Sequence, residues 1–222
     1  MRFHSAVILL FGAGLLAAQS DHEKRLGEAA EVFQEIMATP DNSIPQDLLN
    51  KAHCAVIVPG LKKGAFIFGA KYGRGFITCR TGNVGWSAPG SVRVEGGSFG
   101  FQIGGSETDV IMLVMNERGA KRLLSSKFTL GGDASVAAGP VGRTASAETD
   151  AYLRAEILTW SRSRGVFAGI SLQGATLRQD APANKDLYGH AYENKNLVSK
   201  AVQPPKAAAP LLALLNKYSG RR

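Results

Sequence analysis

Glycine stands inside nearly every apolar run between residues 54 and 174, as in AFIFGAKYG, SVRVEGG and SFGFQIGG. Strand interiors ordinarily avoid glycine, because it has no side chain to pack and loses the most backbone freedom on ordering. Its repeated use there marks points where the backbone bends or a neighbouring chain comes close. There are 26 glycines, placed inside strands as often as between them, and they point to a strongly bent sheet. The expected fold is α+β: one domain with a curved, barrel-like antiparallel sheet and a few short helices.

The remaining pattern agrees. Glu23–Ala38 predicts a helix, with Leu26, Ala29, Ala30, Phe33, Ile36 and Met37 on one face and Glu28, Glu31 and Glu35 on the other. A short helix follows Pro45, with a capping-box spacing from Ser43 to Gln46. Strand signals begin at Cys54 with CAVIV. Pro59-Gly60 and Lys62-Lys63-Gly64 read as turn material, and AFIFGAKYG and GFITCR as two further strands. Phe99, Phe101 and Ile103 share one face of the next strand. VIMLVM (110–115) has no polar residue and predicts a strand buried on both faces. Asn116 is placed to cap a helix. Glu156–Arg162 and Gly165–Leu172 read as a hairpin, with ATLRQD as a short strand after it.

Arg2 and His4 precede an apolar run, Ala6–Ala18, that is long enough for a signal-peptide core and too short for a membrane span. Residues 1–20 are therefore expected to be a signal peptide cleaved near Ser20 and the chain to be exported, periplasmic or secreted. Residues 21–189 form the expected domain, and 190–222 a basic, Pro/Ala-rich tail with a short amphipathic segment at Leu211–Tyr218. The net charge of +8 is unevenly spread. Leu48–Val94 and Asn194–Arg222 carry lysines and arginines without a single acid, which suggests an anionic partner. Two cysteines in an exported chain invite a disulfide. If CAVIV, AFIFGAKYG and GFITC form a three-strand meander, however, Cys54 and Cys79 lie two strands apart, about 10 Å, and both thiols should be free.

Catalytic patterns are missing. The glycine clusters are neither GxGxxG nor GxxxxGK[ST], and the sequence contains no GxSxG. His22, His53 and His190 are scattered without metal-ligand spacing, and His53 and Cys54, as neighbours in a strand, point to opposite faces. Glu107 and Asp109 read as loop residues. The aromatics in the basic segment have core-strand spacing, which argues against nucleic acid. No cofactor is expected, and no enzymatic activity.

WSRSRGVFAGISLQG (160–174) resembles the C-terminal signature of the SYLF domain family, found in yeast and animal endocytic and actin-patch proteins and in bacterial exported proteins. AVIVPGLKKGAFIFGAKYGRGFITCR resembles the family's opening block, WSAPGSVRVEGGSFGFQIGGSETDVIMLVMN its centre and KFTLGGDASVAAGPVGR its small-residue block. The resemblance implies a phospholipid- or phosphoinositide-binding module, in some members actin-binding. The acidic polar face of Glu23–Ala38 would be repelled by anionic lipid, so that helix is expected to pack on the domain. The candidate lipid-binding residues are Lys62, Lys63, Lys71, Arg74, Arg162 and Arg164, read as lying at strand ends and turns. The expected partner is an anionic phospholipid membrane surface, the alternative an acidic protein.

Overall fold

The computed structural model describes residues 20–39, 43–65, 68–82, 85–99, 104–125, 127–142, 155–163, 166–169, 172, 174–199 and 201–219. The chain opens with helix α1 (Asp21–Ala38), started by Ser20. The Ser20 hydroxyl accepts from the Glu23 amide at 3.2 Å and the Glu23 carboxylate accepts from the Ser20 amide at 2.9 Å, a closed capping box. Helix α2 (Gln46–Lys51) follows Pro45, which holds the cap position that the spacing assigned to Ser43 and brings no side-chain bond.

Four long strands come next: β1 (Cys54–Ala65), β2 (Phe68–Cys79), β3 (Gly90–Phe99) and β4 (Gly104–Val114). Helix α3 (Glu117–Leu123) is capped by Asn116, whose side-chain oxygen accepts from the Gly119 amide at 2.7 Å, as its position predicted. Short strands β5 (Lys127–Thr129) and β6 (Val136–Ala138) lead to the hairpin of β7 (Ile157–Ser163) and β8 (Val166–Gly169), then β9 (Thr176–Gln179). Helices α4 (Ala181–Tyr188) and α5 (Asn194–Ser199), a 3₁₀ turn (Lys206–Ala208) and α6 (Ala209–Tyr218) complete the described chain.

The sheet order is β5-β9-β3-β2-β1-β4-β7-β6, with β8 paired to β7. Among the described strands, β6 and β7 alone pair in parallel. A flat sheet of this path would hold its outer strands about 34 Å apart. Residues 130–135 join those two strands directly, span at most about 24 Å even fully extended, and are folded into a turn closed by the Gly131 amide on the Ala134 carbonyl at 2.9 Å. The sheet must therefore curl on itself. The curved α+β fold expected from the glycines is the one observed.

The curl and the helices outside it bury both faces of β1 and β4. Cys54, Val56 and Val58 of β1, with Val110, Met112 and Val114 of β4, fill the interior of the curl. Their neighbours Ala55, Ile57, Ile111 and Leu113 face outward, under Leu26, Phe33 and Ile36 of α1 and Leu211 and Leu215 of α6. This explains the unbroken apolar runs. It also confirms the packed role of α1, whose apolar face covers the sheet.

Two expectations need correction. Residues 59–64 are not a turn: β1 runs through them, and its register slips by one residue between Ile57 and Lys62 against β2 and between Val58 and Leu61 against β4. The bulge accommodates Pro59, whose missing donor a regular ladder would not tolerate, and Gly60 at φ 59°. A Cβ on Gly75 would stand 2.1 Å from the Ile57 carbonyl oxygen, so β2 approaches the bulge more closely than any side chain permits. Because β1 is one long strand and β2 another, no third strand separates the cysteines. Cys54 pairs directly with Cys79 across β1 and β2, with Cα atoms 3.9 Å apart, and the two form a disulfide. The second correction concerns residues 190–222, read as a tail. Leu211 and Leu215 are buried in the outer core and the Trp86 Nε1 donates to the Ser219 hydroxyl at 3.1 Å, so α6 is part of the domain.

Candidate binding surface

The bulge at 58–61 turns Lys62 and Lys63 to opposite faces. Leu61 points into the curl, so Lys62 faces outward and Lys63 inward. Lys63 stands opposite Lys71 in the β1–β2 register and opposite Ser106 in β1–β4. Both lysines lie a few residues from the end shared by the β1–β2 and β2–β3 pairs, where Ala65 meets Gly69 and Phe68 meets Phe99. Phe101 and Ile103, expected to share a face with Phe99, lie outside the described residues. Burial, and then repulsion from Lys71, pushes the Lys63 ammonium below its ordinary pKa. Like charges directly opposite in a sheet are destabilising.

On the outer face, Lys62 borders a groove of about 430 Å³ between α1 and the bulge, lined also by Arg25, Glu28, Tyr72, Arg74 and Glu107. Tyr72 is 45% exposed. The Arg74 guanidinium stands 6.0 Å from its ring centre and pairs at 3.2 Å with the buried carboxylate of Asp180. Arg25 has an Nη1 buried without a hydrogen-bond partner. Tyr72 departs from the core-strand spacing of the aromatics in the basic segment: it lies on the outer face beside the bulge.

Arg162 has a different role. Its Nε donates to the Asp109 carboxylate at 2.7 Å, its Nη2 reaches the same oxygen at 2.5 Å, and it also pairs with Glu35 of α1. The other Asp109 oxygen accepts from the Gly60 amide at 2.9 Å. This node ties β7, β4, the β1 bulge and α1 together. Glu107 and Asp109 thus lie in a strand rather than a loop, on one face. Burial first of all, and the charge of Glu107 in addition, pushes the Asp109 carboxyl up against the pull of the Gly60 amide. Trp160, first residue of the signature, is fully buried; its Nε1 donates to the Pro140 carbonyl at 2.9 Å. A Cβ on Gly139 would enter the Trp160 ring, 2.1 Å from its nearest atom. The signature therefore builds the fold at Trp160 and Arg162. Its hairpin is present and Leu172 is buried, while Arg164 and Ile170 lie outside the described residues. Among the described residues no cluster of three His, Cys, Asp or Glu could hold a metal ion, and no helix is long and apolar enough to cross a membrane.

Residues 95–218 match the family described as "Ysc84: Las17-binding protein actin regulator". The chain belongs to the Ysc84 family. It is 38% identical over 177 residues to the SH3 domain-containing protein PJ696.02 of Schizosaccharomyces pombe, covering 78% of this chain and 41% of that protein. With LAS seventeen-binding protein 3 of Saccharomyces cerevisiae it is 35% identical over 179 residues, covering 79% of this chain and 39% of that protein. With the SH3 domain-containing YSC84-like protein 1 of Rattus norvegicus it is 30% identical over 199 residues, covering 88% and 58%. The chain thus spans about two fifths to three fifths of the length of these relatives. The match confirms the family expected from the 160–174 signature.

Proposed function

We propose that this Ysc84-family chain is a non-enzymatic binding module whose lysines Lys62, Lys63 and Lys71 hold the phosphates of an anionic phospholipid surface near the end of the sheet where Ala65 meets Gly69. The observation that supports this reading most is the Lys63–Lys71 pair: two like charges face one another across the ladder, and Lys63 is partly desolvated. A phosphate between them offsets the repulsion and restores the charged form of Lys63. Approach end-on lets Lys62 join from the other face. Each lysine near an anionic surface contributes about 1 kcal/mol, so the pair contributes roughly thirtyfold in partitioning. Arg74 and Arg162 take no part, since carboxylates of the domain already pair with them.

Sedimentation with vesicles tests this. The protein is expected to bind phosphatidylserine-containing vesicles and not pure phosphatidylcholine, with binding lost at high salt. Lys63→Gln/Lys71→Gln is expected to weaken that binding by roughly thirtyfold without lowering the melting temperature. Unchanged binding by the double variant overturns the reading.

A second reading is a protein partner, supported by the family description and by relatives named for binding LAS seventeen. Export is also part of the proposal: mass measurement of the protein recovered from outside the cytoplasm is expected to show a start between residues 19 and 21. Cleavage after Ala18 keeps the Ser20 cap of α1; cleavage after Ser20 removes it.

A further inference from the structure

Four cations stand in one line across neighbouring strands. Arg74 of β2 faces Arg93 of β3, Arg93 faces Arg178 of β9, and Arg178 faces Lys127 of β5. Their chain neighbours Val92, Val94, Leu177 and Phe128 all point into the curl, so the four cations share the outer wall. At strand spacing the line is about 14 Å long. The arginine side chains are 41%, 35% and 40% exposed in that order.

The line is short of negative charge. Asp180 pairs with Arg74, and a single carboxylate, Glu95, serves both Arg93 at 3.1 Å and Arg178 at 3.5 Å. The Nε atoms of all three arginines are buried without an aligned hydrogen bond. Lys127 is exposed and has no carboxylate within 4 Å among the described residues. Four cations thus face two carboxylates in a register where each like pair is unfavourable. An anionic partner offsets that arrangement.

We infer that this line is a docking surface for an acidic segment of a protein partner. Glu95 shows what fits: a carboxylate set between two guanidinium groups. The same residue, together with the recessed guanidinium groups on a convex wall, disfavours a flat anionic bilayer, whereas a narrow extended chain follows the curve. At about 3.3 Å per residue, roughly five residues with acids at alternate positions cover the line. This surface lies on the opposite face of the sheet from Lys63 and Lys71, and does not depend on their role.

The test uses the full chain and fluorescein-labelled hexaglutamate, read by fluorescence anisotropy at low salt. Arg93→Gln/Arg178→Gln/Lys127→Gln is expected to weaken binding about tenfold, with an unchanged melting temperature and unchanged binding to phosphatidylserine vesicles. Lys51→Gln/Lys121→Gln/Lys195→Gln removes the same charge from exposed lysines elsewhere and is expected to change binding less than about twofold. Equal weakening by both sets overturns the proposal in favour of net charge alone. Loss of vesicle binding with intact peptide binding overturns it in favour of a membrane contact, and so does wild-type peptide affinity in the first variant. If that variant does not fold, Lys127→Gln alone decides: a shallower dependence of binding on salt supports the surface, and an unaltered slope overturns it.

Discussion

At the scale of single residues, similar side chains serve opposite ends. Arg162 and Lys63 are both basic strand residues, yet Arg162 is enclosed by Asp109 and Glu35 while Lys63 faces another lysine. Replacing Arg162 by Ala leaves the half-buried Asp109 carboxylate without its cation, which costs about 3 kcal/mol. Urea denaturation should show that loss, and a change below about 0.5 kcal/mol, the usual range for a surface charge, would contradict the assignment. Glu35 is half exposed, and Glu35→Gln is expected to cost under about 1 kcal/mol in the same measurement. Glycine 75 offers a second contrast. Gly75→Ala drives a methyl into the Ile57 carbonyl and should cost more than about 2 kcal/mol. Gly82→Ala meets no atom within 4 Å, and only its φ of 57° opposes it, at about 1 kcal/mol.

At the scale of elements, the disulfide and the cap of α1 differ in what they hold: one joins β1 to β2, the other starts a helix. Cys54 and Cys79 are 25 residues apart in sequence and sit inside the curl, so their bond restricts the unfolded chain more than it alters the fold. Removing it with Cys54→Ala/Cys79→Ala is expected to cost about 3 kcal/mol in the chain-entropy account. A thiol count on denatured, unreduced protein should find no reactive thiol; two would mean the strands pair otherwise. The α1 cap is a smaller matter. Ser20→Ala should lower stability by about 1 kcal/mol, detectable as a shift of the thermal midpoint with the slope of the transition unchanged.

At the scale of the whole molecule, two helices from opposite ends of the described chain close one face of the sheet. Phe33 of α1 meets Tyr218 of α6 edge to face at 6.2 Å, and Leu211 and Leu215 are buried beside α1. A chain ending at residue 205 would expose that face. It is expected to lose its cooperative thermal transition and to bind a hydrophobic dye, whereas a true tail would be removed without either effect.

Much of this was legible in the residues because it rests on local physics. Glycine inside strand patterns reports curvature, apolar periodicity reports α1, a polar-free run reports a strand buried on both sides, and Asn116 caps because its short side chain reaches back to a free amide. These signals act over a few residues. The placement of Cys54 opposite Cys79 depended instead on whether 59–64 ends a strand or bulges within it. The choice is set by β4 pairing along the far side of β1 and by the Gly60 amide bonding to Asp109, forty-nine residues away. The same holds for the surface. Basic residues could be counted in the sequence, but Arg74, Arg93, Arg178 and Lys127 become one line only when β2, β3, β9 and β5 lie side by side. Strand order is a property of tertiary pairing, and no window of neighbouring residues contains it.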